Sequence, residues 1–358
     1  MHGERSTRPW MTTAEFFKRT VIVLCVALVP LLIWFLFDVI LIAVGAILIG
    51  VLLHLVAEPL IRWCRLPESL ALVVSGILIV GVVGGAAYLF GTQIEAELAD
   101  VVARASTAAT QITTQLQQST AGKFVLSHIQ GGSGFSIPGF VGGIFSVSIR
   151  FLEALVVTVI GGFYLAAQPQ LYRKGLGKLF PRPLRAEADE TIEDIGRGLR
   201  LWLIGELIQM VLIGSLTTIA VWLVGLPSPL ALGVIAGLAE FVPYLGPIVA
   251  AIPAVLVATT QGGNFIFWTV IAYLLIHQLE GNLIAPLIQR QLIFIPPAVM
   301  LLAIVIILFV FGGIAVIFAG PLAVIAFVAI EKLYVRDSLG EATALPGEPQ
   351  RRGQRMAG

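Results

Sequence analysis

Glu240-Phe241-Val242-Pro243-Tyr244-Leu245-Gly246-Pro247 decides the fold, because this stretch lies inside an apolar segment long enough to cross a bilayer. The segment runs from Pro229 to Ala258, and a membrane-spanning helix needs about 20 apolar residues. Proline removes a backbone N–H and clashes with the preceding turn, so the backbone is predicted to bend or unwind near Pro243 and Pro247. Such backbone is tolerated at membrane depth where it is buried in protein or lines a wet cavity. A carboxylate beside the break, Glu240, is therefore a candidate functional residue of a transport protein.

The composition is that of a membrane protein. The 358 residues are 58% hydrophobic and 12% charged, with a mean hydropathy of +0.97, whereas soluble domains carry about 25% charged residues. Most of the chain is therefore expected to face lipid or other membrane helices. The two cysteines, Cys25 and Cys64, are predicted to be unpaired thiols. The polar, basic start of the chain precedes a long apolar region without a small-residue cleavage site, which predicts a retained anchor.

Eight apolar stretches predict an all-α integral membrane protein with about eight transmembrane helices, one of them broken near the Pro-Tyr-Leu-Gly-Pro element. The predicted spans are Thr20–Phe37, Val39–Ala57, Ser69–Phe90, Phe151–Ala167, Leu201–Val224, Pro229–Ala258, Phe265–Leu287 and Ala298–Ile330. If the N-terminus is cytoplasmic, 18 of the 22 Lys and Arg residues fall on the inner side, all but Arg104, Lys123, Arg150 and Arg290. This positive-inside bias predicts that both termini are cytoplasmic.

The predicted organisation has seven parts. They are a cytoplasmic N-terminus (1–19), helices one to three (20–90), an extracytoplasmic segment (91–149), helix four (150–167), a cytoplasmic basic segment (168–200), helices five to eight (201–331) and a disordered cytoplasmic tail (332–358). The outer segment is predicted to hold an amphipathic helix over Gln93–Gln118 and a second apolar helix, Phe140–Arg150, near the interface. The inner segment is expected to form one or two surface helices that face water and anionic lipid headgroups, with a regulatory domain as the alternative.

Few ionisable residues lie at membrane depth, and they fall into a small number of groups. Glu206 is deep in the fifth span, where a polar contact between helices and a role in transport are both open. His277 and Glu280 lie three residues apart on one helix face, and Gln278 and Asn282 share an adjacent face. Pro286 follows and is expected to free backbone carbonyls one turn earlier.

Other polar and small residues have structural interpretations. His54 and Glu58 are expected to pair with each other or with Arg62, and Glu153 with Arg150. The alternative for Glu240 itself is a carboxylate satisfied by free N–H groups of the unwound segment. Two pairs of glycines spaced four apart predict close helix packing: Gly81 with Gly85, and Gly233 with Gly237.

Enzyme motifs do not occur in the sequence. It contains no Gly-rich P-loop ending in Gly-Lys-Ser/Thr, no His-Glu-x-x-His and no Gly-x-Ser-x-Gly. We therefore predict no enzymatic activity, no cofactor, no metal site and no nucleic-acid partner. Transport would have to use an ion or substrate gradient.

The chain resembles the autoinducer-2 exporter family of bacterial permeases over about residues 20–335. The resemblance is carried by the Glu240–Pro247 stretch, Pro253, Gln278-Leu279-Glu280 with Asn282 and Pro286, Pro296-Pro297, Gly312-Gly313 and Gly320-Pro321. It implies an inner-membrane, multi-pass permease that exports autoinducer-2, a small polar furanone, and that assembles into homo-oligomers described as pentamers. Some members of the family are linked instead to sodium/proton antiport.

Three functions are compared on this basis. The first is a permease whose site, between the sixth and seventh spans, binds a small polar solute through Glu240, Pro243, Gly246, Pro247, Gln278, Glu280 and Asn282, with polar support from Glu206 and His277. The second is a sodium(lithium)/proton antiporter that uses the same carboxylates. The third is a structural membrane scaffold whose two extramembrane segments bind partners while no solute crosses.

Overall fold

The computed structural model describes residues 28, 35–118, 149–289, 292, 295–336 and 339, and every regular element in these ranges is helical. The α-helices are α1 (Phe37–Cys64), α2 (Glu68–Gln118), α3 (Ile149–Ala167), α4 (Pro169–Gly177), α5 (Arg185–Val224), α6 (Pro229–Ala239), α7 (Leu245–Gln261), α8 (Phe265–Leu279), α9 (Ala285–Gln289), α10 (Pro297–Phe311) and α11 (Ala319–Ile330). Two 3₁₀ helices, Arg182–Leu184 and Ile314–Phe318, and two π-helices, Glu280–Ile284 and Glu331–Arg336, connect or extend them. The all-helical prediction is confirmed for the described residues.

Four helical stretches are long and apolar enough to cross a membrane: Phe37–Cys64, Arg182–Val224, Phe265–Ile288 and Ala315–Arg336. A fifth is formed if Ala154–Ala167 and Pro169–Gly177, which meet at 90°, are taken as one broken span. The chain is therefore a multi-pass membrane protein. The first predicted span, Thr20–Phe37, lies almost entirely outside the described residues, and the total of eight stays a prediction.

Helix α2 is 51 residues long and does not stop where the third predicted span ends. At 1.5 Å per residue it extends about 75 Å, more than twice the thickness of a bilayer's hydrocarbon core. Gln93–Gln118, predicted as a separate amphipathic helix, is its last part. The second predicted outer helix, Phe140–Arg150, lies outside the described residues except for its last two positions.

The inner basic segment is also continuous with a span. Its first part forms the short helix α4, and its second part belongs to α5, a single helix of 40 residues. The chain shows no break at position 200, where the sequence placed the boundary. Charged residues occupy the first turns of α5 and mostly apolar residues the remainder, so one helix passes from a polar environment into a mainly apolar one.

Helices α6 and α7 form an antiparallel hairpin. The start of α6 contacts α2, since the Ala231 N–H donates to Glu97 Oε2 at 2.9 Å. The end of α7 reaches the same part of the molecule, because Val257 and Ala258 pack in one cluster with Ala231 and Val101 of α2. The prediction of Pro229–Ala258 as one broken crossing is therefore corrected: the two helices run side by side in opposite directions, with residues 240–244 at the tip.

The tip sequence explains the reversal. Tyr244 has a φ of 65°, a left-handed conformation that ends helical propagation for a non-glycine residue. A Cβ atom on Gly246 would collide with the Ala239 carbonyl and approach Glu240 Cα to 3.0 Å, so only glycine fits there. Pro247 lies in the first turn of α7, where its missing N–H leaves no helical hydrogen bond unmade.

The eighth predicted span, Ala298–Ile330, is also divided. Helix α10 ends at Gly312, whose φ of 90° breaks the helix, and α11 packs against α10. Buried residues of both helices share the main core cluster with Trp202 and Leu199 of α5. This cluster supports one wall of the cavity described below.

The glycine pairs behave differently from one another. Gly233 and Gly237 of α6 lie against α5, where added Cβ atoms would meet the carbonyl oxygens of Gly214 and Met210 at 2.7 Å. The packing prediction is confirmed for this pair. Added Cβ atoms at Gly81 and Gly85 would have no neighbour within 4 Å among the described residues, so the prediction is wrong for that pair within the described part of the chain.

Candidate functional site

A cavity of about 310 Å³ lies where α5, the α6–α7 tip and the α8–α9 segment meet. Its described lining comprises Leu201, Trp202, Gly205, Glu206, Gln209, Glu240, Pro243, Tyr244, His277, Glu280, Gly281, Ala285, Pro286, Ile288, Leu292, Ile295, Pro297 and Met300. Three carboxyl groups, each from a different element, therefore face one space.

Helix α5 contributes one wall. Trp202, Glu206 and Gln209 follow at spacings of four and three residues, which places them on one helix face. Trp202 is fixed from two sides, by an edge-on contact with Phe241 at 5.5 Å between ring centroids and by close approach to Gly320. Glu206 is only 4% exposed, and its carboxyl faces the cavity.

The hairpin tip contributes Glu240, which follows the last residue of α6 and is 1% exposed. Its Oε2 atom is buried and has no hydrogen-bond partner among the described residues. The N–H groups of Val242, Leu245 and Gly246 are already used, since they donate to the carbonyls of Ala239, Pro243 and Val242. The alternative that free N–H groups satisfy the Glu240 carboxylate is therefore not what the geometry shows.

The third wall comes from α8 and the π-helix that follows it. Proline at 286 cannot donate to a carbonyl one turn earlier, and the helix widens into a π-helix over Glu280–Ile284. Single π-turns of this kind are frequent at functional sites. The turn places Glu280 in the cavity, where its Oε2 lies 3.3 Å from His277 Nδ1 and its carboxyl adjoins that of Glu240.

The structure brings together only some of the predicted site residues. Glu240, Pro243 and Glu280 line the cavity, as do the two predicted supporting residues, Glu206 and His277. Gln278 and Asn282 are exposed and hydrogen-bond to each other at 3.1 Å, on a different face of the helix. Gly246 and Pro247 lie in the first turn of α7, next to the tip, and do not line the cavity.

Several lining residues were not among the predicted site residues, including Trp202, Gln209, Tyr244, Pro286 and Met300. A signal for two of them was present, because Trp202 and Gln209 share a helix face with Glu206. Met300 gives no such signal, since nothing in the sequence indicates that the start of α10 reaches the cavity.

Comparison with known proteins gives a consistent assignment. Residues 22–335 match a protein family that is described as "AI-2E family transporter". The chain is 31% identical over 168 residues to the putative transport protein YrrI of Bacillus subtilis, covering 47% of each chain. It is 31% identical over 175 residues to the putative permease PerM of Escherichia coli, covering 47% of this chain and 48% of PerM. The matched region spans about half the length of these relatives.

These two descriptions name transport and permeation, and neither names sodium/proton antiport, which therefore gains no support from them. The match to the family covers far more than half of the chain, and it includes α1, the hairpin and all three walls of the cavity. The chain belongs to the AI-2E family of transporters.

Proposed function

We propose that this protein is a permease that moves a small polar solute across the bacterial inner membrane, with the cavity between α5, the α6–α7 tip and α8 as its binding site. The observation that carries the proposal is the buried Glu240 Oε2 atom, which faces the cavity without a protein partner. A buried polar atom without a partner costs free energy, about 1–3 kcal/mol or more for charged groups. A solute that occupies the cavity would supply the missing contact.

The form of the hairpin supports this proposal. Its tip is irregular backbone at the level of Glu206, about half-way along α5, and such backbone is tolerated at membrane depth where it lines a cavity. The start of α6 and the end of α7 lie at the same side of the molecule, next to α2. The hairpin can therefore shift as a unit without breaking a helix that crosses the membrane. The hairpin is thus suited to close one side of the site.

The finer parts of the proposal come from the family. Autoinducer-2-like molecules are one candidate cargo, because the family carries that name. We further propose a homo-oligomer, a pentamer as in the family, surrounded by membrane lipid, with both termini cytoplasmic and without enzymatic activity. The alternative of a structural scaffold predicts that no solute crosses the membrane.

Flux measurements in proteoliposomes test the proposal. Purified full-length protein would be reconstituted and the efflux of labelled autoinducer-2 and of a panel of small polar solutes measured. Glu240→Gln keeps the side-chain shape and removes the negative charge, so we expect it to reduce flux of the transported solute at least tenfold, which corresponds to about 1.4 kcal/mol. Glu187→Gln, at the cytoplasmic start of α5 and far from the cavity, is the matched control and should transport normally.

The double variant separates one site from two. If Glu240 and Glu280 bind the same solute, Glu240→Gln combined with Glu280→Gln should be little worse than either single change, because neighbouring groups of one site are not additive. Wild-type flux in both single variants would contradict the proposed site, whereas the absence of flux for every solute in the wild-type protein would favour the scaffold.

A further inference from the structure

We propose that the cargo of this cavity is a small organic cation, a protonated amine, whose ammonium group lies among Glu206, Glu240 and Glu280. The inference rests on the proposed function and narrows its substrate class. It follows from the charge, the hydrogen-bonding capacity and the walls of the cavity.

The charge of the described lining is one-sided. Three carboxyl groups face the cavity, and the described lining residues include neither lysine nor arginine. His277 is the remaining basic group there; it adjoins Glu280, and half of its side chain is exposed at the rim. Tyr244 is the other titratable side chain of the described lining. A cationic ligand therefore meets an excess of acidic groups.

The hydrogen-bonding capacity is also one-sided. Ionised carboxylates accept hydrogen bonds and do not donate, and the N–H groups of Val242, Leu245 and Gly246 already donate to backbone carbonyls. An ammonium group has three donors and no acceptor, so it matches three converging carboxyl groups. Glu240 Oε2 has no partner among the described residues and is buried, which gives such a donor a definite point of attachment.

The walls indicate that the cation has an organic part. A cavity of about 310 Å³ is at the lower end of small-molecule sites and far larger than a bare metal ion requires. Trp202 and Tyr244 line it together with the apolar Met300. Cations bind to aromatic faces with about 0.5–2 kcal/mol, and an alkyl or aryl group can pack against the same surface.

An anion is the least compatible cargo, since it would meet three acidic side chains in a region of low dielectric constant. A neutral hydroxylated solute could bond to the carboxyl groups but would not offset their charge. The proposed cation differs from both in the sign of its charge, which makes a comparison of matched compounds decisive.

Three compounds that share a phenol ring test the charge directly. Tyramine carries an ammonium group, tyrosol a hydroxyl group and 4-hydroxyphenylacetate a carboxylate on the side chain. Their binding to the purified full-length protein would be measured by isothermal titration calorimetry at constant pH and ionic strength, with putrescine as a second, non-aromatic amine. We expect tyramine to bind at least tenfold more tightly than tyrosol, and 4-hydroxyphenylacetate not to bind.

Variants locate the binding site. Glu240→Gln and Glu280→Gln should each weaken tyramine binding about 10- to 100-fold, the range for hydrogen bonds to charged groups, while tyrosol binding changes little. Glu187→Gln should bind like the wild type. If Glu240→Gln does not purify as a monodisperse protein, Glu280→Gln makes the same test. Glu280 lies on the wider π-helical turn and is less buried than Glu240, so we expect its substitution to disturb folding less.

The outcomes distinguish this inference from the proposed function. Equal binding of tyramine and tyrosol, or no binding of either amine, overturns the proposal of a cationic cargo. Glu240-dependent flux of a neutral solute would still support the permease proposal. Tyramine binding that neither glutamine variant weakens overturns the site. If no solute shows Glu240-dependent flux in proteoliposomes, the proposed function itself fails.

Discussion

Arg200 of α5 donates two hydrogen bonds to the Glu58 carboxylate of α1, at 2.5 and 2.6 Å. The two residues are 142 positions apart in sequence, and the bidentate geometry joins two of the helices long enough to cross a membrane. Arginine favours this arrangement because its planar guanidinium presents two parallel donors to a carboxylate. The sequence predicted His54 or Arg62 as the partner of Glu58, and the structure shows that the direct partner lies on another helix; His54 Nδ1 instead lies 3.1 Å from the Gly50 carbonyl.

Thermal unfolding tests the energetic value of this pair. Glu58 and Arg200 side chains are 32% and 39% exposed, so solvent screens the interaction and we expect a coupling free energy of about 1 kcal/mol. A double-mutant cycle with Glu58→Gln, Arg200→Gln and both together would measure it for the protein in nanodiscs. Arg200→Lys should recover only part of the stability, because lysine cannot form the bidentate contact. Additive effects of the two glutamine substitutions would contradict a direct interaction.

Lys332, in the π-helix that follows α11, forms ion pairs with two acidic residues of α5. Because the two acidic residues differ in burial, the expected losses of stability differ as well. Lys332 is 7% exposed and donates to Asp194 at 2.9 Å and to Glu190 at 3.1 Å. Asp194→Asn leaves a buried ammonium with less compensation, so we expect a loss of roughly 2–4 kcal/mol in unfolding free energy. Glu190 is 71% exposed, and Glu190→Gln should cost less than about 1 kcal/mol. Equal losses for the two variants would mean that burial does not set the strength of these contacts.

The parts of this fold that sequence predicts are those that depend on local pattern. Long apolar stretches predicted the helices, and ionisable residues at membrane depth predicted three carboxylates that the structure brings to one cavity. The Pro-Tyr-Leu-Gly-Pro element predicted an interruption, and residues 240–244 do interrupt the helix. The same element is compatible with a kink or with a reversal, since the direction of α7 depends on its contacts with α2 and not on the turn residues alone.

Long-range relationships are the parts that could not be predicted. Gly81 and Gly233 each have a partner glycine four residues later, yet among the described residues only the second pair meets another helix. Gln278 and Asn282 share a helix face, as their spacing predicted, but that face is exposed and does not line the cavity that Glu280 lines. In both cases the spacing predicts which residues share a face, and contacts with distant helices decide what that face meets.

The tip of the hairpin should tolerate no side chain at Gly246. An added Cβ would meet backbone atoms of Ala239 and Glu240, which cannot move without opening the turn. We expect Gly246→Ala to displace Glu240, to lower flux in proteoliposomes and to reduce thermal stability by about 1–3 kcal/mol. Gly81→Ala is the matched control, because an added Cβ there meets no described atom within 4 Å and alanine is the better helix former. It should stabilise the protein by up to about 1 kcal/mol. Wild-type flux in Gly246→Ala would show that the turn is not needed in this form.

The outer part of α2 should hold the start of the hairpin in place. Glu97 accepts a hydrogen bond from the Ala231 N–H, one of the donors that a helix start leaves without an internal partner, and Asp100 accepts one from the Ser228 hydroxyl at 3.1 Å. In Glu97→Ala we expect the Ala231 amide to exchange with deuterium roughly tenfold faster, as for a lost hydrogen bond of about 1.4 kcal/mol. Thr107→Ala, whose hydroxyl donates only within α2, should leave the exchange unchanged. Unchanged exchange in Glu97→Ala would mean that packing alone fixes the hairpin.

The hairpin also predicts which side of the membrane the turn between α7 and α8 faces. A Cβ added to Gly225 would lie 3.8 Å from the Phe265 ring, and Ile288 packs at Gly205, so the α8–α9 segment runs antiparallel to α5. If the charged start of α5 is cytoplasmic, residues 262–264 lie outside, opposite to their position in a single crossing by Pro229–Ala258. In a protein with Cys25 and Cys64 replaced by serine, Asn264→Cys should react with a membrane-impermeant maleimide in intact cells, and Lys178→Cys should react only after lysis. Reaction of Asn264→Cys only after lysis, with Lys178→Cys unchanged, would restore the single crossing and remove the antiparallel hairpin.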